Sequence, residues 1–300
     1  MFVFHPDIKE ALQHKKAVVA LESTVITHGL PYPANLETAL MMESAVRDGG
    51  AVPATIAILG GRVHVGLTPA QIEYLATRPE NHVRKCSRRD LPLAVARGED
   101  GATTVAGTMI IAHQAGIELF ATGGIGGVHR GHPFDVSADL SELGRTPITV
   151  VCSGAKSILD LPATVEVLET QGVPVIGYAT NELPAFFSRQ SGLGVTIRVD
   201  DPAGVATIIR AHHNLKLKNG LLVTVPVPLA DEYNNQLAEA AIAQATQEAD
   251  EQAIHGPAAT PWLLRRVAEL SSGRTIQANT SLLRNNGRIA AQIANALTQL

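Results

Sequence analysis

The stretch Ile148-Thr149-Val150-Val151-Cys152-Ser153-Gly154-Ala155-Lys156 decides the fold class. Its first five residues form a short apolar, largely β-branched run, which reads as a buried strand. Ser153-Gly154-Ala155 ends that run, and Pro162 suits the first turn of a helix, so strand gives way to helix within a few residues. Lys156 therefore sits at a strand's carboxyl end, facing a helix amino terminus. The partial positive charge of such a terminus disfavours an ammonium ion, and an uncharged amine in a crevice can attack an electrophilic carbon and hold it as a Schiff base. On this segment alone an ordinary solvated surface lysine is the competing reading.

The same pattern recurs outward along the chain. Ala17 to Leu21, Ala54 to Leu59, Leu119 to Ala121, Pro174 to Gly177, Val195 to Val199 and Leu221 to Val225 are further strand-like runs between helical stretches. This alternation signals an α/β fold with a largely parallel sheet. Arg62-Val63-His64-Val65-Gly66, following Gly60-Gly61, reads as a hairpin return and makes the expected sheet mixed. Helices are expected over Asn35 to Asp48, closed by Gly49-Gly50, and from Thr68 as amino cap through Pro69 to Arg78. Asn81 to Val83 reads as a possible strand. The last third, with Asp231 to Gln252, Thr260 to Leu270 and Thr275 to Leu300, reads as helix. Without internal repeats, linkers or charge blocks, residues 1–300 read as one continuous domain.

Composition narrows the function. With 24 basic and 28 acidic residues and a formal charge of -4, the chain is no polycation built to hold nucleic acid, and 4% aromatic content leaves few stacking platforms. A small molecule is the expected partner. The two cysteines, Cys86 and Cys152, lack metal-ligand spacing and point to a reducing compartment, with cytoplasm as the default. Met1 to Lys16 lacks the apolar stretch of a signal peptide, and no segment reads as a membrane span.

Four further segments could carry chemistry. Thr122-Gly123-Gly124-Ile125-Gly126-Gly127-Val128-His129-Arg130-Gly131 follows a strand, and its glycines let backbone amides approach an anion, with His129 and Arg130 as added donors. It fits neither the dinucleotide fingerprint nor a P-loop. In Asp135-Val136-Ser137-Ala138-Asp139 an extended backbone would put three oxygen-bearing side chains on one face, suited to Mg2+ or Mn2+; alternatively Ser137 or Asp139 caps a following helix. Glu22, ending the run Val18 to Leu21, is placed for general acid work if partly desolvated, and otherwise is a solvated strand end. Arg84-Lys85-Cys86-Ser87-Arg88-Arg89-Asp90 offers four positive charges to a phosphate, or else a solvated basic face.

Taken in order, these segments resemble the pseudouridine-5'-phosphate glycosidase (indigoidine synthase A-like) family, whose members cleave the carbon–carbon glycosidic bond of pseudouridine 5'-phosphate to uracil and ribose 5-phosphate. The resemblance runs from Val18-Val19-Ala20-Leu21-Glu22-Ser23-Thr24 through Ser87-Arg88-Arg89-Asp90-Leu91-Pro92 and Gly101-Ala102-Thr103-Thr104-Val105. It continues through the glycine-rich stretch, Phe134-Asp135-Val136-Ser137-Ala138-Asp139-Leu140 and Cys152-Ser153-Gly154-Ala155-Lys156-Ser157-Ile158-Leu159-Asp160. It implies Lys156 as nucleophile, Glu22 as proton donor and Asp135 as ligand of one divalent ion per subunit, usually Mn2+. It further implies Lys85, Val105 through its backbone, and Ser137, Ala138 and Asp139 as substrate contacts, with Asn279 near the base; whether Asp139 shares the metal stays open.

The resemblance also implies a three-layer α/β/α core and a homotrimer. The connection from Gly131 to Asp135 is shorter than the family pattern, with His132-Pro133 in place of a longer stretch. Two rival readings are a same-fold enzyme with a shifted substrate in pigment biosynthesis and a noncatalytic nucleotide-binding regulator. The presence of both Glu22 and Lys156 speaks against the second, because a binding module needs no paired acid and nucleophile.

Overall fold

The computed structural model describes residues 2–254, 256 and 259–300. Its strands are β1 (Phe2–Phe4), β2 (Val18–Leu21), β3 (Val52–Leu59), β4 (Arg62–Val65), β5 (Arg84–Cys86), β6 (Gly101–Thr103), β7 (Leu119–Ala121), β8 (Val128–His129), β9 (His132–Val136), β10 (Thr149–Cys152), β11 (Leu159–Asp160), β12 (Val175–Tyr178), β13 (Ile197–Val199) and β14 (Leu221–Thr224). The helices are α1 (Pro6–Gln13), α2 (Thr24–Thr27), α3 (Ala34–Asp48), α4 (Pro69–Thr77), α5 (Leu91–Arg97), α6 (Val105–Gln114), α7 (Ala138–Leu143), α8 (Leu161–Thr170), α9 (Pro202–Asn214), α10 (Asn235–Glu251), α11 (Ala259–Leu270) and α12 (Arg274–Thr298).

The main sheet runs β1-β4-β3-β2-β7-β10-β14-β12-β13, and every pair from β3 to β13 is parallel. Every residue of β2, β7, β10 and β14 is buried. Helices cover both faces of these strands, which is why their sequences are apolar runs without alternation. The expected hairpin is present: β3 turns into antiparallel β4 through Gly60 and Gly61, at φ 53° and 74°. Two successive positive φ angles suit a two-residue hairpin turn and favour glycine there.

Helix α12 packs on α3 and α9 and against β2, β7 and β10, while α6 covers β2, β3 and β7 and leads through α7 to α8. The mixed sheet thus lies between helical layers, as expected. The buried side of α12 includes Ala278, Leu282, Leu283, Ile289, Ile293 and Leu297, at the three- and four-residue spacing of one helix face. Thr68 and Gln71 cap α4 reciprocally, with Pro69 in its first turn.

Three local expectations shift. Asn81 to Val83 is not a strand: Glu80–His82 is a 3-10 turn, and pairing starts at Arg84, where β6 supplies a parallel partner. Helix α10 starts at Asn235 rather than Asp231, because Leu229–Asp231 forms its own 3-10 turn and the Asn234 side chain caps the Leu237 amide. Lys156 does follow β10, but the short β11 intervenes before α8, whose amino end is capped by Asp160. Among the described residues no helix is long and apolar enough to cross a membrane.

Candidate active site

A cleft of about 880 Å³ opens beyond the carboxyl ends of β2, β7 and β10, the position where open parallel sheets usually bind ligands. Glu22, Thr122 and Lys156 reach it from the segments that follow these strands. The neighbouring β5, α6, β9 and α7 bring in Lys85, Val105, Asp135, Ser137, Ala138 and Asp139, and α12 brings in Asn279. With His129, every residue expected at the site therefore lines one cavity.

At the acid end, both Glu22 oxygens are engaged. The Thr24 hydroxyl donates to Oε2 and the Thr122 hydroxyl to Oε1, so the carboxylate is held between the ends of two paired strands. The Lys156 backbone N–H donates to Ile125 O at 3.0 Å, and Ile125 N–H to Gly154 O at 3.1 Å, stitching the lysine's loop to the glycine-rich loop. Burial holds the Lys85 ammonium below the usual lysine range, and the nearby charge of Lys156 pushes it further down, opposed by Asp139, Glu22 and Glu80. Two amines and a carboxylate therefore share one partly desolvated space.

The cleft also collects backbone donors. Helix α6 opens with its first amides unpaired within the helix. Ala106 N–H goes to Asp139 Oδ1 at 2.9 Å and Gly107 N–H to Thr104 Oγ1 at 3.3 Å. The N–H of Val105, a residue of the cleft lining, has no protein acceptor among the described residues. Asp139 is not on an oxygen-lined strand face with Asp135. The chain turns into α7 at Ala138, Ser137 caps it by accepting the Asp139 amide at 3.2 Å, and Asp139 Oδ2 takes the Gly126 N–H at 2.8 Å. Both Asp139 oxygens thus organise backbone, and only glycine fits at Gly126, where a Cβ would lie 2.2 Å from Ser137 Oγ.

Asp135 differs from Asp139. Half-buried on the cleft wall, its carboxylate has no hydrogen-bond partner in the protein among the described residues. Burial lowers the pKa of His129, against the pull of Asp135 and with help from His132, Lys85 and Lys156, which favours a neutral imidazole. Among the described residues no three His, Cys, Asp or Glu side chains form a metal cluster. The donor set fits instead a hard ion held by one carboxylate and completed largely by water and ligand oxygens.

Of the basic run, Lys85 alone has no carboxylate within 4 Å among the described residues; Arg84 pairs with Glu99, Arg88 with the fully buried Glu142, and Arg89 with Asp90. Arg130 is not an anion donor at the cleft, because its guanidinium is spent on the carbonyls of Ser157 and Leu159 and on Glu239. The cleft lining also includes apolar Val25, Phe186, Leu264 and Leu283 as well as Asn279. Asn279 Oδ1 is buried without a hydrogen-bond partner among the described residues, an acceptor able to take a donor.

Sequence reasoning missed Thr24 and Thr122, which fix Glu22, and Asn286 of α12. Fully buried, Asn286 donates to Thr122 O at 2.9 Å and accepts from Ser153 Oγ at 3.3 Å, tying together the segments that follow β7 and β10. A polar residue at the core spacing of α12 was the available signal.

Residues 7–296 match the family described as indigoidine synthase A like protein. A Herpetosiphon aurantiacus protein named pseudouridine-5'-phosphate glycosidase is 56% identical over 299 residues, covering 99% of this chain and 98% of its own. One of the same name from Escherichia coli K12 is 52% identical over 297 residues, covering 98% and 95%. Among solved structures, the prealnumycin C-glycosynthase in complex with ribulose 5-phosphate superimposes with a TM-score of 0.91 at 43% identity, covering 100% of this chain and 97% of that one. An indigoidine synthase A-like protein from Thermotoga maritima gives 0.90 at 35% identity, covering 99% and 97%.

Proposed function

This chain belongs to the indigoidine synthase A-like family, and from that premise we propose that it cleaves the C–C glycosidic bond of pseudouridine 5'-phosphate, giving uracil and ribose 5-phosphate through a Schiff base on Lys156. The observation that carries this reading is the convergence of Glu22, Lys156 and Lys85 in one cleft with the amide of Val105. A related enzyme crystallised with ribulose 5-phosphate supports a sugar phosphate as the substrate's outer half.

Uracil joined through carbon leaves only if that carbon is protonated, so an acid is required. In the first step Lys156 Nζ bonds to C1′ as the C1′–O4′ bond breaks, and the proton lost from the amine passes to O4′. Glu22 then delivers a proton to C5 of the base; the nitrogen lone pair forms the C=N bond, and the C5–C1′ bond breaks to free uracil. Water adds to the imine carbon, the C–N bond breaks, and ribose 5-phosphate departs while Glu22 regains its proton. Thr24 and Thr122 keep the acid aimed during these transfers.

Lys85, the Val105 amide and the Ser137-Ala138 turn would hold the phosphate, so that binding energy far from the reacting carbon positions it. Asn279 Oδ1 would accept an N–H of uracil. Asp135, with His129 beside it, would hold Mn2+, which supplies positive charge and ordered water at the phosphate end. In reverse, the same groups would join uracil to ribose 5-phosphate. Incubation with pseudouridine 5'-phosphate and Mn2+ should release free uracil; a folded protein that releases none would reject the reading.

A further inference from the structure

Arg130 lies on the turn between β8 and β9, at the end of the glycine-rich loop, and does not line the cleft. Its Nε donates to Leu159 O at 3.1 Å and its Nη2 to Ser157 O at 2.8 Å. Glu239, on α10, takes Nη1 at 2.7 Å and Nη2 at 3.0 Å. Four of the five guanidinium N–H groups are thereby used, which leaves Arg130 little capacity for an outside anion.

The two carbonyls belong to the residues one and three positions beyond Lys156. On its other side the lysine's loop is fixed by the hydrogen bond from Lys156 N–H to Ile125 O, and β11 pairs with β8 through Leu159 and His129. Arg130 closes this frame from beneath. The Glu239 carboxylate has no other hydrogen bond among the described residues, so its contribution is to hold the guanidinium in a two-point fork that a flexible side chain would not otherwise keep.

We propose that Arg130 and Glu239 are a positioning pair for the nucleophile: Glu239 fixes the guanidinium, and Arg130 holds the Ser157 and Leu159 carbonyls so that Lys156 Nζ meets the sugar carbon. Neither touches substrate, and the role rests on the reading of Lys156 as the imine-forming amine. Displacement of reacting groups by an ångström can cost about a hundredfold in rate.

The test compares wild type with Arg130→Ala, Arg130→Lys and Glu239→Gln, measuring kcat, KM and the single-turnover rate of borohydride trapping of ribose 5-phosphate on Lys156. Arg130→Ala should lower kcat and the trapping rate together by about ten- to a hundredfold, with KM changed by no more than about twofold. Arg130→Lys should not restore the rate, because an ammonium lacks the fork. Glu239→Gln should give a smaller loss of the same kind. Trapping at the wild-type rate in folded Arg130→Ala would overturn the proposal, and so would a raised KM at unchanged kcat, the mark of a substrate contact. If Arg130→Ala does not fold, the near-isosteric Glu239→Gln decides, and unchanged trapping in that variant overturns it. Wild-type protein that releases uracil without an adduct on Lys156 would refute the nucleophile assignment itself, and the positioning role would fall with it.

Discussion

The proposed mechanism asks of Lys156 a covalent bond to the sugar, so Lys156→Ala should abolish uracil release without unfolding the protein; mass spectrometry of the borohydride-trapped wild type should place the adduct on Lys156, and an adduct on another lysine would refute the assignment. Lys85 is a matter of charge. A charge-assisted hydrogen bond to phosphate contributes about 1.5–3 kcal/mol, so losing two should cost roughly two to four orders of magnitude in kcat/KM, and unphosphorylated pseudouridine should be that much poorer a substrate. Because burial and Lys156 lower the pKa of Lys85, its positive charge is lost at a lower pH than that of a free lysine. KM should therefore rise early on the alkaline limb, and Lys85→Arg should move that rise to higher pH; an unmoved limb would acquit Lys85. Asp135→Ala should weaken rescue by Mn2+ after chelation, measured as recovered turnover. Glu22 and Lys156 are legible in the sequence because each ends or follows an apolar run, and strand ends are where parallel sheets bind ligands. Thr122 is not legible as their helper, since it meets Glu22 only once β2 and β7 pair. Arg130 misleads because a guanidinium after glycines suits an anion and main-chain carbonyls equally, and Glu239, 109 residues on, settles the choice.

Helix α12 shows how an element can matter more than its amphipathic pattern implies. Asn286 sits among apolar neighbours yet bonds to the segments following β7 and β10, so Asn286→Ala would strand buried partners at a cost of about 1–3 kcal/mol. Urea denaturation should show that loss together with a lower kcat, whereas exposed Arg284→Ala on the same helix should stay within about 0.5 kcal/mol. Equal, small effects would remove Asn286 from the clamp. Long elements such as α3, α4 and β3 could be read from caps, glycines and apolar runs. The short β5, β8 and β11 could not, because they exist only through partners elsewhere in the chain, and the turn at Ala138 could not be told from a continued strand until Asp139 had two amides to bind.

For the whole molecule, the family resemblance carries the expectation of a homotrimer. Light scattering should then give three times the 31.6 kDa of the chain, and a single-chain mass at working concentration would refute it. Phe134, 99% exposed on β9, is one apolar side chain such an assembly could cover. The way α12 closes over β2, β7 and β10 has a consequence for biosynthesis. A ribosome adds residues 274–298 after the strands that carry the acid and the amine, so during translation both groups already exist while the clamp at Asn286 does not. On the proposed mechanism, an amine that captures sugar aldehydes should therefore arise only after that helix has docked.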